Sequence, residues 1–199
     1  MLRVVLTGPE CTGKTTLTEK LSHFYGIPFV PEFAVDYLNN KKNKEEKYTL
    51  GDLKMIAEGQ TFSENMALLN TSVQKKELTL CDTDILTIKI WADVVFGKKD
   101  ETIESFVNVF AKGRKKENIY LLSSPEGIAW EAHPLRENPN DRDKLFGLYE
   151  RLLKKQKVKY FILKGDLETR FDGAIKIIDK AYSKALNAKI NKDLMKKLI

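Results

Sequence analysis

The sequence is poor in cysteine, histidine and proline, and it contains no long apolar run. Cys11 and Cys81 are its only 2 cysteines in 199 residues. That excludes a disulfide-stapled secreted scaffold, and with His23 and His133 as the only histidines the two thiols form no metal-ligand spacing. No apolar stretch approaches the ~20 residues needed to cross a bilayer. MLRVVLTG at the start leaves no room for a charged leader and cleavage site, so a cytoplasmic protein with reduced thiols is expected. Arginine is scarce too: of the 34 basic residues only Arg3, Arg114, Arg136, Arg142, Arg151 and Arg170 are arginines. The net charge of +6 is spread among 28 acidic residues rather than gathered on one face, which argues against a nucleic-acid partner. KKNKEEK (41–47) and GRKKEN (113–118) read as solvated loops, and KINKDLMKK (189–197) as the surface of a lysine-rich helix.

What the chain does have is alternation. Apolar runs LRVVLT (2–7), PFVPEF (28–33), LTLCDT (78–83), NIYLLSS (118–124) and KYFILKG (159–165) are separated by longer amphipathic stretches. The spacing predicts helices over Thr15–Tyr25, Thr49–Val73, Ile85–Phe96, Thr102–Ala111, Arg142–Lys155 and Leu167–Leu186. Strands alternating with crossover helices give an α/β protein, a three-layer α/β/α domain with a five-stranded parallel sheet. One domain over 1–199 suits the length and the 42% hydrophobic content. SSPEGIAWEAHPLRENPNDR (123–142) breaks the alternation with three prolines and ends at a helix start that Asn140 is placed to cap. It follows the carboxyl end of a strand, where open α/β sheets bind ligands, and is read as a lid over the site.

GPECTGKTT directly after the first strand fits the phosphate-loop pattern G-x-x-x-x-G-K-[ST]. Gly8, Pro9, Glu10, Cys11, Thr12, Gly13, Lys14, Thr15 and Thr16 are therefore the expected nucleotide contacts. Glycines let the backbone turn its N–H groups onto phosphate oxygens, Lys14 reaches the β and γ phosphates, and the Thr15 hydroxyl coordinates Mg²⁺. The third strand ends in Asp82, the second expected Mg²⁺ ligand, followed by Asp84, which suits a helix cap or a substrate contact. Glu32 at the end of the second strand is the candidate general base, within reach of an acceptor hydroxyl. Arg136 and Arg142 fall in the lid of a chain that otherwise prefers lysine, and a planar guanidinium suits the charge of a transferring phosphoryl group. Phe33, Tyr37, Trp91 and Trp130 are candidates to stack on a planar substrate ring. Trp91, with Ile85, Ile88, Ala92 and Val95, fits one buried helix face.

These segments together, GPECTGKTT, VPEF with Tyr37, IAEGQ (56–60), CDTDILTIKIWA (81–92), AWEAHPLRENPNDR (129–142) and GDLETRF (165–171), resemble the ribosylnicotinamide kinase-like domain of bacterial NAD-salvage proteins, within the small P-loop ATPases and kinases. The resemblance runs in order over nearly the whole chain. It implies a nucleoside-kinase-like P-loop NTPase fold, ATP with Mg²⁺ as cofactors, and phosphorylation of the 5′-hydroxyl of a small nucleoside, nicotinamide riboside first among them. It gives Gly8, Gly13, Lys14 and Thr15 to the phosphate loop, Glu32 and Asp82 to the strand-end acids, and Arg136 and Arg142 to the lid. GDLETRF matches a loop that flanks adenine. Two positions depart from the pattern: Val35 stands where an arginine is expected after Glu32, and His133 where the lid is expected to carry an aspartate. The rivals are a sensor of ATP or a pyridine nucleotide without turnover and a kinase for another nucleoside or a polynucleotide 5′-hydroxyl. A GTPase is disfavoured, since there is no N-K-x-D and no D-x-x-G after the third strand.

Overall fold

The computed structural model describes residues 1–41, 47–73, 78–97, 100–113, 118–133, 136–137 and 139–197, with backbone alone for 72–73, 110–113 and 185–197. Most of both charged loops and the side chains of KINKDLMKK lie outside the described residues.

Five parallel strands, β1 (Leu2–Thr7), β2 (Phe29–Val30), β3 (Leu78–Asp82), β4 (Asn118–Ser123) and β5 (Lys159–Leu163), form one sheet in the order β2-β3-β1-β4-β5. Every residue of β1, β3 and β4 is buried, as continuous apolar runs covered on both faces require, whereas edge strand β5 leaves Lys159 and Ile162 exposed. β2 is shorter than the six-residue run PFVPEF suggests. Pro28 and Pro31 bracket it, and a proline has no N–H to give the ladder, so pairing with β3 stops at Val30.

The sheet's two faces carry separate cores. Leu2, Val4 and Leu6 point to one, packed with Leu17 and Leu21 of α1 (Lys14–Tyr25) and Ala174 and Ile178 of α7 (Leu167–Lys197). Val5, Cys81, Tyr120 and Leu122 point to the other. There they meet α2 (Phe33–Asn39), α3 (Leu50–Val73), α4 (Ile85–Phe96), α5 (Glu101–Gly113) and α6 (Arg142–Lys155). The layers are those the alternation implies. The short α2 was not expected, and α7 runs past Leu186. The cap of α6 also differs: its N-cap residue is Asp141, not Asn140, and Asp141 makes no side-chain cap bond. No helix of the described residues is long and apolar enough to span a membrane.

Candidate nucleotide and acceptor site

All three buried strands end on the same side of the sheet, and the phosphate loop turns there between β1 and α1. Gly8 sits at φ 134°, and a Cβ on it would lie 2.7 Å from the Ser123 carbonyl oxygen at the end of β4. Only glycine lets the loop pass this close to the neighbouring strand. The Thr12 hydroxyl and the Lys14 ammonium both donate to the Pro9 carbonyl at 2.8 Å, which folds the loop on itself.

Register places Asp82 beside Leu6, one residue short of the end of β1. There its Oδ2 accepts the Thr15 hydroxyl at 2.6 Å, while its buried Oδ1 has no hydrogen-bond partner among the described residues. Burial holds the Asp82 carboxyl above its usual range, with Thr15 and Lys14 pulling it back down. A buried carboxylate with one oxygen unanswered, touching a hydroxyl at the head of a helix, fits an oxygen-seeking cation such as Mg²⁺.

A cavity of about 440 Å³ opens beside the loop. Its floor is the whole run Gly8–Thr16, and Glu32 stands on its far wall. Burial pushes the Glu32 carboxyl up to about 7; Lys14 opposes this, and the Asp82 and Glu10 carboxylates add to it. Arg136 lines the cavity from the lid, with its Nη1 held 2.6 Å from the Glu131 carbonyl, and exposed His133 lies at the same rim.

The remaining sequence candidates fall elsewhere. Asp84 is fully buried beneath the site. It caps α4 by accepting the Leu86 N–H at 3.0 Å, and it takes hydrogen bonds from Arg3 and Tyr120, so it is a structural cap rather than a substrate contact. The Phe33 ring packs against Gly59 and Tyr37, and the Tyr37 hydroxyl donates to Asp52; neither ring lines the cavity. Trp130 lies under the Arg142 guanidinium, 5.7 Å from its ring centre. Arg142 itself reaches the Cys11 and Ile128 carbonyls and lines a second cleft, inside the 124–141 connection.

Trp91 packs against the core, as its helical spacing predicts, and lines the cavity as well. Ile85, Ile88 and Ala92 are buried outside the cavity lining; Thr87 and Ile90, also buried, and Trp91 with exposed Val94 and Val95 turn to the cavity with Val35 and Leu38 of α2. Tyr48 holds Trp91 there: the indole N–H donates to its hydroxyl at 2.8 Å, and that hydroxyl donates to Glu137 at 2.6 Å. The Glu137 N–H in turn is 3.0 Å from the Glu10 carboxylate, so the phosphate loop, the lid and α4 close one rim.

Arg170 is the residue that sequence reasoning missed. It lies inside the GDLETRF segment, and its scarcity in a lysine-preferring chain was the available signal. Its fork donates to the Gly165, Thr12 and Ser124 carbonyls at 2.7, 2.9 and 2.7 Å and ties the phosphate loop to the ends of β4 and β5.

A parallel sheet of this order with a phosphate loop after β1 and an acid at the tip of β3 defines a P-loop nucleotide-binding protein. The chain belongs to the AAA domain family, whose model matches residues 3–170. No curated protein matches it in sequence. Among solved structures it is similar to NadR protein in complex with NR, with a TM-score of 0.70 and 21% identity over 90% of this chain and 51% of that one. NadR in complex with NAD and AMP-PNP is similar at a TM-score of 0.69 and 21% identity, covering 90% and 49%. Deoxyadenosine kinase from M. mycoides, with the products dCMP and dCDP bound, follows at a TM-score of 0.58 and 12% identity over 90% of this chain and all of that one. The chain thus spans about half the length of the NadR chains and the whole of the deoxyadenosine kinase.

Proposed function

We propose that the protein is an ATP- and Mg²⁺-dependent kinase that phosphorylates the 5′-hydroxyl of nicotinamide riboside to nicotinamide mononucleotide. The observation that carries this is Glu32: a partly buried carboxylate sharing one cavity with Lys14 and the entire phosphate loop. In this account Lys14 exchanges its bond to the Pro9 carbonyl for phosphate oxygens, and the loop's N–H groups hold the β and γ phosphates. Thr15 and Asp82 hold Mg²⁺, which when bound offsets the charge of the phosphates. Glu32 orients the acceptor hydroxyl and takes its proton as the oxygen bonds to the γ-phosphorus and the bond to ADP breaks. Arg136 spreads charge over the transferring group once it leaves Glu131.

The acceptor side supports a flat cationic ring. Ile90, Trp91 and Val94 give it an apolar wall with an aromatic face, and the Glu10 and Glu137 carboxylates stand at the rim. The bound molecules of the similar NadR structure point the same way. The test is incubation with Mg²⁺-ATP and a panel of nicotinamide riboside, common nucleosides and a 5′-hydroxyl oligonucleotide. Nicotinamide mononucleotide is the expected product, abolished in Lys14→Ala and reduced at least ~100-fold in Glu32→Gln. Tight ATP binding without product from any acceptor would replace the kinase with a nucleotide sensor.

A further inference from the structure

Glu32 occupies the N-cap position of α2 yet makes no side-chain cap bond. A carboxylate there ordinarily turns back to accept the N–H of the second or third helical residue. Here another helix answers the start of α2: Gln60 of α3 accepts the Phe33 N–H on its Oε1 at 2.9 Å. Gln60 is 1% exposed, and its amide cannot turn over, because Nε2 donates to Glu64 Oε1 at 3.1 Å. Glu64 is fixed in turn by the buried guanidinium of Arg3, at 2.5 Å. The neighbouring Gly59 completes the seat, since a Cβ on it would lie 2.2 Å from the Phe33 ring. The pair Gly59–Gln60 thus docks Phe33 by both ring and backbone, and the residue before Phe33 is the cavity carboxylate.

We infer that Gln60 is a positioning residue: by holding the Phe33 N–H, the amide that directly follows Glu32, it fixes where the Glu32 carboxylate stands at the acceptor cavity. The inference rests on the kinase reading for what Glu32 does there, but the cap itself does not. It assigns work to the GQ of IAEGQ that neither nucleotide nor acceptor contact explains, because neither residue lines the cavity. The same buried chain comes within two residues of Asp82, the acid at the end of β3. Arg3 also donates to Asp84 at 3.3 Å, and Asp84 caps α4 two residues beyond Asp82.

The test compares Gln60→Leu, the exchange Gln60→Glu/Glu64→Gln, and wild type in steady-state kinetics and in amide hydrogen exchange at Phe33. Gln60→Leu removes the acceptor. Expected are a loss of about 10- to 100-fold in kcat, a KM for ATP within about two-fold, and Phe33 exchange at least ~10-fold faster. The exchanged pair keeps an acceptor for Phe33, a donor between positions 60 and 64 and an acceptor for Arg3, so kcat and protection should both return. A merely structural role would instead weaken ATP binding along with turnover, or leave the exchanged pair as impaired as Gln60→Leu. If Gln60→Leu does not fold, Gly59→Ala takes its place: its Cβ drives the ring, and Glu32 with it, toward the same kcat loss. Equal Phe33 exchange in wild type and Gln60→Leu, or undiminished kcat in Gly59→Ala, overturns the inference and leaves the kinase standing. Wild-type protein that phosphorylates no acceptor while Gln60→Leu still deprotects Phe33 overturns the kinase and leaves the cap standing.

Discussion

Two side chains set what the site can do, and each does so through what surrounds it. Glu32 must be ionised to take a proton, and burial holds its carboxyl up near 7. Since kcat/KM reports the free enzyme, it should rise with pH through about 7 as Glu32 ionises and level off above. Glu32→Gln should flatten that limb along with the activity, and a wild-type limb unmoved from the ordinary carboxylate range near 4.5 would remove Glu32 as the base. Arg170 works differently, because it lines neither the cavity nor the second cleft and its fork serves three carbonyls. Arg170→Ala leaves the Thr12 and Ser124 carbonyls buried without their charged donor, at a cost of about 3 kcal/mol or more. Lysine cannot replace the planar fork, so Arg170→Lys should recover less than half of the loss in thermal melts and leave ATP affinity weakened.

At the scale of elements, residues with the same spacing can face a core or a cavity. On α4, Ile85, Ile88 and Ala92 are buried outside the cavity lining, while Thr87 and Ile90, also buried, line the cavity with Trp91, Val94 and Val95, and both sets repeat at helical intervals. Trp91 does both, packing against the core that its periodicity predicts and lining the cavity, and pattern alone does not separate the two roles. The phosphate loop, by contrast, was legible down to single residues, because its function depends on contiguous backbone after one strand. Asp82 was legible as a strand end, whereas Glu32, expected to end the second strand, stands two residues beyond β2 as the N-cap of α2. The rest of the cavity wall was not, because α2, α4, α6 and the lid supply it from positions far apart in sequence. α2 escaped because seven residues carry barely two helical turns of pattern. The exposed Val94 offers a test of the wall: Val94→Trp should fill the cavity opposite the phosphate loop and raise the acceptor KM at least ~10-fold, leaving the KM for ATP within about two-fold. Equal effects on both substrates would place the acceptor outside this cavity.

For the molecule as a whole, the site's carboxylates work against the fold. Glu32 titrates near 7 in the folded chain against an ordinary value of 4.5, and Glu64, buried beside Asp84 and only partly answered by Arg3, is likewise raised. Between those values the folded state holds protons that the unfolded chain has released, so the contribution of these two groups to stability is full below about pH 4.5 and is lost as pH rises through about 7. Glutamine at position 32 has no proton to lose. Glu32→Gln should therefore melt with wild type at pH 4.5 and above it at pH 8, by on the order of 2 kcal/mol, or roughly 4–8 °C for a domain of this size. The substitution that removes turnover would then be the one that steadies the fold, as expected of a charge held in a partly dry cavity for chemistry rather than for packing. A Glu32→Gln protein melting at or below wild type at pH 8 would mean that Lys14 already compensates the ionised carboxylate in the resting protein. The site would then be a paired charge, with no base poised near neutrality.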